Sequence, residues 1–65
     1  MNLVVNGKNY DLDVETLADV VSHFQVDPRL IVTEVDGDII DETKWKETKM
    51  TDGMTIELVH FVGGG

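Results

Sequence analysis

The segment Thr16-Leu17-Ala18-Asp19-Val20-Val21-Ser22-His23-Phe24 decides the fold of this 65-residue chain. Thr16 is a typical N-cap residue, and Asp19 follows three positions later, as in a shortened capping box. Asp27-Pro28 ends the helix because the residue before a proline is disfavoured in the helical region. The apolar positions i, i+3, i+4 and i+7 lie on one helix face and are Leu17, Val20, Val21 and Phe24. The segment therefore predicts one amphipathic helix whose apolar face must be covered.

Short alternating segments on both sides of this helix predict the strands that cover it. Asn6-Gly7 is a strong signal for a type I′ hairpin turn, and Asp36-Gly37 predicts a second turn. Thr51-Asp52-Gly53 predicts a third turn, before the last strand. The strands are predicted over residues 1–6, 8–13, 30–35, 38–40 and 54–62, with a further short edge strand near Met50.

One amphipathic helix and four or five strands bury their apolar faces only when the helix lies across one face of a mixed sheet. With the last strand beside the first, the connection through the helix is right-handed. The predicted fold is therefore α+β, a β-grasp (ubiquitin-like) domain with a mixed four- to five-stranded sheet and one helix packed across one face. Trp45 is predicted to close this core from an irregular segment. The expected core residues are Leu3, Val5, Leu17, Val20, Val21, Phe24, Ile31, Val35, Ile56 and Leu58.

Composition excludes several classes of function. Thirteen acidic against five basic residues give a net charge of −8, which repels nucleic acid and favours a basic protein partner. No stretch reaches transmembrane length, so we expect a soluble cytoplasmic protein without a membrane partner. The chain has no cysteine, and His23 and His60 have no partner at metal-ligand spacing. The acidic residues around Asp36-Gly37 fit a β-turn better than a calcium loop.

The chain ends in Val62-Gly63-Gly64-Gly65, a segment that cannot contribute side-chain packing at its three glycines. We expect a folded domain over residues 1–62 and a flexible tail over residues 63–65. A thin tail suits an enzyme slot too narrow for a Cβ, which makes the Gly65 carboxylate a candidate reactive group. A frayed terminus or a fusion remnant is the alternative.

Strand alternation predicts a partner surface at the root of this tail. With Ile56 and Leu58 inward, Val59 and Phe61 face outward, and Val4 does so on the first strand. If the first and last strands are neighbours, these residues form one joined apolar patch. The predicted partner-binding residues are Val4, Val59, Phe61 and Val62.

Three segments resemble the ubiquitin-like sulfur carriers, and most of all the carriers of thiamine biosynthesis, the ThiS type. They are residues 1–7, residues 35–40 followed by Trp45, and residues 52–65, of which Val59-His60-Phe61-Val62-Gly63-Gly64-Gly65 is the most specific. Two departures are visible. Gly63 exceeds the Gly-Gly minimum of the family, and Thr33 stands where these proteins often have an aliphatic residue.

The resemblance implies that the chain is acted on and is not itself an enzyme. An adenylating enzyme of the ThiF type, related to ubiquitin-activating enzymes, would join the Gly65 carboxylate to AMP. Sulfur from a cysteine desulfurase would then give a C-terminal thiocarboxylate, and a thiazole synthase of the ThiG type would take that sulfur. The resemblance implies no catalytic residue, metal or cofactor in the carrier.

Three alternatives stay open at the level of sequence. The first is a molybdopterin-synthase small subunit, which uses the same tail in another pathway. The second is a ubiquitin-like modifier joined to lysines of target proteins. The third is a protein-binding β-grasp domain with an incidental glycine tail.

Overall fold

The computed structural model describes residues 1–61, which form a five-stranded mixed sheet with one α-helix on one face. The sheet order is β2-β1-β5-β3-β4; β1 and β5 are parallel, and the other neighbours are antiparallel. This is the predicted β-grasp arrangement, with the last strand beside the first. The elements are β1 Asn2–Val5, β2 Lys8–Asp11, α1 Leu17–His23, β3 Ile31–Val35, β4 Asp38–Ile40 and β5 Thr55–His60, with 3-10 helices at Pro28–Leu30 and Glu42–Glu47.

The helix α1 begins where the sequence predicts, but it ends at His23, before the predicted stop at Asp27-Pro28. The Asp19 N–H donates to Thr16 Oγ1 at 3.3 Å, and the Thr16 N–H donates to Asp19 Oδ2 at 3.1 Å, which completes a capping box. Backbone hydrogen bonds from Glu15 and then from Thr16 lower the pKa of Asp19. Phe24 is the C-cap, and Gln25 turns the chain away with a φ of 55°.

Two type I′ turns give the sheet its hairpins. Asn6 and Gly7 have φ values of 50° and 81°, and Asp36 and Gly37 have values of 49° and 90°. Positive φ at both central residues matches the right-handed twist of the flanking strands. These turns fix the register of β1 with β2 and of β3 with β4.

The core lies between α1 and the inner face of the sheet, and nine of the ten predicted core residues are buried there. Phe24 is the exception: it is half-buried and packs against the edge of the core. Its ring meets Tyr10 edge-on at a centroid distance of 5.0 Å. Phe24 is the C-cap and lies one residue past the end of α1 at His23. The i, i+3, i+4, i+7 spacing therefore predicted more burial for Phe24 than it has.

The predicted short edge strand near Met50 is wrong. Only a single bridge forms here, between Lys49 and Thr16, although the Met50 side chain is buried. The Met50 N–H donates to the carbonyl of Glu15 at 2.9 Å, and the Leu17 N–H donates to the carbonyl of Thr48 at 2.9 Å. The segment therefore ties the start of α1 to the loop before β5 without extending the sheet.

Trp45 closes the core as predicted, from the 3-10 helix Glu42–Glu47. Asp41 caps this helix by accepting from the Thr43 hydroxyl and from the Thr43 N–H at 3.1 Å. The hydrogen bond from the Thr43 side chain, followed by that from its backbone, lowers the pKa of Asp41. Asp41 therefore serves as a helix cap.

Candidate functional site

The strand β5 carries the chain towards the glycine segment from the centre of the sheet. It lies between β1 and β3, and its last residue, His60, is paired with Ile31. The Phe61 N–H donates to the carbonyl of Leu30 at 2.8 Å. Backbone hydrogen bonds therefore fix the path of the chain as far as Phe61. The predicted site residues Val62, Gly63, Gly64 and Gly65 lie outside the described residues.

An apolar surface lies beside this end of β5. Val59 and Phe61 are 46% and 52% exposed, as the alternation predicts. Val32 on β3 is paired with Val59 and is half-buried. We call these three residues the tail-root surface. A shallow groove of about 300 Å³ adjoins it, lined in part by Phe61, Val32 and the exposed Ile39 of β4.

Val4 does not join the tail-root surface, so the prediction of one continuous patch is wrong. The register places Val4 beside Thr55, four residues before Val59 on β5. At about 3.3 Å per residue this separation is about 13 Å, too far for two valine side chains to touch. Glu57 lies between them on the same outer face. This outer face is the one that α1 does not cover, and we call it the open face. Val4 is half-buried and lies towards its opposite end.

The open face of the sheet is acidic next to the tail-root surface. Glu34 on β3 and Glu57 on β5 are directly opposite each other, and both are half-buried. Like charges in directly opposite positions destabilise a sheet. This pair therefore makes the open face a favourable surface for a cation from another molecule.

The nearby loop contains a cation that is already paired. Arg29 donates from Nε to Asp27 Oδ1 at 3.1 Å and from Nη2 to Asp27 Oδ2 at 2.8 Å. The Arg29 side-chain and backbone hydrogen bonds lower the pKa of Asp27 to about 2. The Leu30 carbonyl that accepts from the Phe61 N–H belongs to the same loop, so this loop contacts the end of β5.

Sequence reasoning missed the part played by Asn6. Its side chain binds both backbone groups of Leu58: Oδ1 accepts from the N–H at 2.8 Å, and Nδ2 donates to the carbonyl at 3.3 Å. The sequence predicts only a strand end and a turn at this residue. Its position at the end of β1, next to a strand that continues further, is the signal that could have revealed this contact.

Within residues 1–61, no group of three histidine or carboxylate side chains is arranged to hold a metal ion. His23 and His60 are exposed, as expected of surface histidines. No helix in this range is long and apolar enough to cross a bilayer. The candidate site is therefore a strand end with its surrounding surface.

Comparison with known proteins identifies the family. The model of the ThiS family matches residues 3–65, which includes the glycine segment. The chain belongs to the ThiS family. It is 34% identical to the sulfur carrier protein ThiS of Bacillus subtilis, across 97% of this chain and 98% of that protein. The ThiS crystal structure from Geobacter metallireducens superposes with a TM-score of 0.84 at 30% identity, over the full length of both chains.

A second kind of relative contains a ThiS-like segment within a larger protein. The whole of this chain aligns with a thiazole synthase of Paramagnetospirillum magneticum at 29% identity. The match covers 20% of that protein. A ThiS-like segment can thus occur in one polypeptide with a thiazole synthase.

Proposed function

We propose that this chain is a sulfur carrier of thiamine biosynthesis and that its reactive group is the carboxylate of Gly65. The observation that carries the proposal is the ThiS family match, which runs through the last glycine. The β5 strand supports it, because it leads from the sheet directly to Val62-Gly63-Gly64-Gly65. Glycines give an enzyme access to the carboxylate without steric hindrance from side chains.

The chemistry has two steps. A carboxylate oxygen of Gly65 attacks the α-phosphorus of ATP, pyrophosphate leaves, and an acyl-adenylate forms. Sulfide, released from the desulfurase persulfide by a thiol reductant, then attacks the acyl carbon and AMP leaves, so that one carboxylate oxygen is replaced by sulfur in a thiocarboxylate. Adenylation is needed because a carboxylate is a poor electrophile. The carrier is the substrate in both steps, and the activating enzyme supplies the ATP site.

The tail-root surface is the proposed docking site for the activating enzyme. Phe61 is its largest residue and lies four positions before Gly65, so an enzyme that holds the tail passes over this ring. Exposed aromatic residues are common anchors in protein interfaces. Glu34 and Glu57 beside it favour a basic partner surface. An interface of ordinary size also reaches Val4, as a peripheral contact.

The proposed partner that consumes the sulfur is a thiazole synthase. The support is the thiazole synthase of Paramagnetospirillum magneticum, which contains a segment like this chain. Joining a carrier and its acceptor enzyme in one polypeptide raises their effective concentration. We place a cysteine desulfurase upstream as the source of sulfur, and the whole sequence of reactions in the cytoplasm.

The alternatives differ in what happens to the tail. A molybdopterin-synthase subunit would form the same thiocarboxylate, but it would give its sulfur to a different acceptor. A ubiquitin-like modifier would become joined to lysines of other proteins. The family match and the identity to the Bacillus subtilis carrier favour thiamine biosynthesis.

Intact-mass measurement tests the proposal. The purified chain is incubated with its adenylating enzyme, ATP, cysteine, a desulfurase and a thiol reductant. The expected product has one oxygen replaced by one sulfur, and it disappears when ATP is omitted or when Gly65 is deleted. Adding thiazole synthase with its other substrates should return the mass to the starting value. An unchanged mass in the complete mixture, or a conjugate with lysines of other proteins, contradicts the proposal.

A further inference from the structure

Asn6 binds β5 both through its backbone and through its side chain. Its N–H donates to the carbonyl of Ile56 at 2.9 Å, which extends the ladder between β1 and β5 past Val5. Its side-chain amide then bonds to both backbone groups of Leu58, at 2.8 Å and 3.3 Å. A residue of a neighbouring strand offers the same pairing of acceptor and donor. The Asn6 amide therefore takes the place of a strand residue that β1 does not have.

The need for this side chain comes from the topology. At Asn6 the chain turns towards β2, whereas β5 continues to His60. Without the amide, the part of β5 after Ile56 would have hydrogen bonds to β3 only. Leu58 lies three residues before Phe61. The Asn6 amide thus provides hydrogen-bond partners for β5 where β1 no longer runs beside it, close to the tail-root surface.

We propose that Asn6 is a positioning residue for activation of the tail. Its amide holds the end of β5 in place, and the activating enzyme receives the tail from that end. The reason is preorganisation: a segment that is already held in its bound arrangement loses less conformational freedom on binding, so removing the restraint weakens binding. This inference rests on the proposed function, and it adds a residue whose side-chain hydrogen bonds, within the described residues, go to Leu58.

Asp36 provides a matched control on the other side of β5. It occupies the same position of a type I′ turn as Asn6, with a φ of 49° against 50°. Its Oδ1 accepts from the Thr55 N–H at 2.9 Å, and its own N–H donates to the Thr55 carbonyl at 2.8 Å. Thr55 is the first residue of β5, six positions before Phe61. Both turn residues therefore support β5, but only Asn6 does so near the tail.

The test compares Asn6→Gly with Asp36→Gly. Glycine accepts the positive φ at both positions, so each variant removes the side-chain contact with β5 and keeps the turn. Adenylation is measured by ATP–pyrophosphate exchange with the carrier as the varied substrate, at a temperature where all variants are folded. We expect Asn6→Gly to raise KM for the carrier about fivefold or more, with a smaller change in kcat, because the lost contact preorganises binding. Asp36→Gly should stay within about twofold of the wild type.

Amide hydrogen exchange gives a readout that is independent of the enzyme. In Asn6→Gly the Leu58 amide should exchange about fivefold faster or more, because its hydrogen-bond acceptor is lost. In Asn6→Asp the acceptor remains and only the donor to the Leu58 carbonyl is lost. This variant should keep slow exchange at Leu58 and show an intermediate KM.

The outcomes separate this inference from the proposed function. Equal KM changes in Asn6→Gly and Asp36→Gly overturn the role of Asn6 and leave the proposed function standing. Unchanged exchange at Leu58 in Asn6→Gly overturns it as well. A wild-type chain that the activating enzyme does not adenylate overturns the proposed function, and the role of Asn6 in activation falls with it.

Discussion

The indole N–H of Trp45 donates a hydrogen bond of 2.9 Å to the hydroxyl oxygen of Thr33, which is completely buried. That hydroxyl donates in turn to the carbonyl of Ile40 at 2.7 Å. Thr33 is therefore both acceptor and donor in the interior. This contact gives the threonine a structural role at this position.

Replacing Thr33 by valine tests this buried contact. The side chains have nearly the same shape, but Thr33→Val leaves the Trp45 N–H with only a weaker 3.3 Å contact to the Ile40 carbonyl. We expect the free energy of unfolding to fall by about 1–3 kcal/mol in urea denaturation. Thr48→Val is the control, because it removes a hydroxyl that donates to the Lys44 carbonyl at 2.7 Å in an exposed setting. That variant should change stability by no more than about 0.5 kcal/mol. Equal losses in both variants would contradict the expectation.

Leu17 should contribute more to stability than Phe24, because Leu17 is more deeply buried. Leu17 is completely buried, so Leu17→Ala should cost about 2–5 kcal/mol. Phe24 is half-buried at the helix end, so Phe24→Ala should cost only about 1–2 kcal/mol. Urea titration of both variants gives the comparison. A greater loss in Phe24→Ala would place its ring deeper in the core than the structure does.

Local signals in the sequence were sufficient to predict most of the fold. The capping box at Thr16 and the turn at Asn6-Gly7 depend on residues within a few positions of each other, and both were confirmed. Phe24 was misjudged because helical spacing shows which face a residue occupies but not whether the helix covers it. Met50 was misjudged because a buried side chain does not require strand pairing.

The candidate site was harder to predict because it depends on register between distant strands. Alternation correctly turned Val59 and Phe61 outward. Whether Val4 meets them depends on the offset between β1 and β5, which no nearby residue reveals. Asn6 was missed for the same reason, because its partner Leu58 lies 52 positions away.

The carboxylate of Asp27 should titrate below its ordinary range. Hydrogen bonds from Arg29 lower its pKa from 3.8 to about 2. A carboxylate whose pKa is lower in the folded state stabilises the fold above its unfolded pKa, and this stabilisation is lost as the pH falls through the folded value. The relevant window therefore runs from about pH 4 down to about pH 2.

Carbon-detected NMR titration of the Asp27 carboxyl group measures this shift. Arg29→Gln retains the backbone N–H but removes the guanidinium, so the pKa of Asp27 should rise towards 3.8 in this variant. The acid-induced loss of stability between about pH 4 and pH 2 should also become smaller. A wild-type Asp27 that titrates at its ordinary value would contradict the expected pairing.

Deleting Gly65, or adding a side chain at Gly64, should abolish activation and leave the fold intact. The buried core of the described chain extends from Leu3 to Leu58, so it does not require Gly65. Deleting Gly65 removes the reactive carboxylate from its position, and Gly64→Val places a branched side chain where we propose a narrow enzyme slot. Thermal unfolding should be nearly unchanged, and adenylation should be lost. A marked fall in Tm would show instead that these glycines contribute to the fold.

Phe61 should contribute most of the side-chain binding energy at the tail-root surface. It is half exposed and lies at the end of the chain path that backbone hydrogen bonds hold in place. Truncating an aromatic anchor commonly costs about 2 kcal/mol or more, so Phe61→Ala should weaken binding to the activating enzyme about tenfold or more. Folding should be almost unaffected, because little of the ring is needed to cover the core. Isothermal titration against the purified enzyme measures the difference.

Val4→Ala gives the comparison that locates the interface. Val4 lies on the same open face but about 13 Å from Val59, so its truncation should weaken binding only about twofold. Higher salt should slow association of the wild-type chain more than it speeds dissociation, because the charge of the acidic face mainly affects the association rate constant. If Phe61→Ala binds as tightly as the wild type, the tail-root surface is not the docking site. If Val4→Ala has the greater effect, docking is centred on the opposite end of β5, and the enzyme reaches the tail from there.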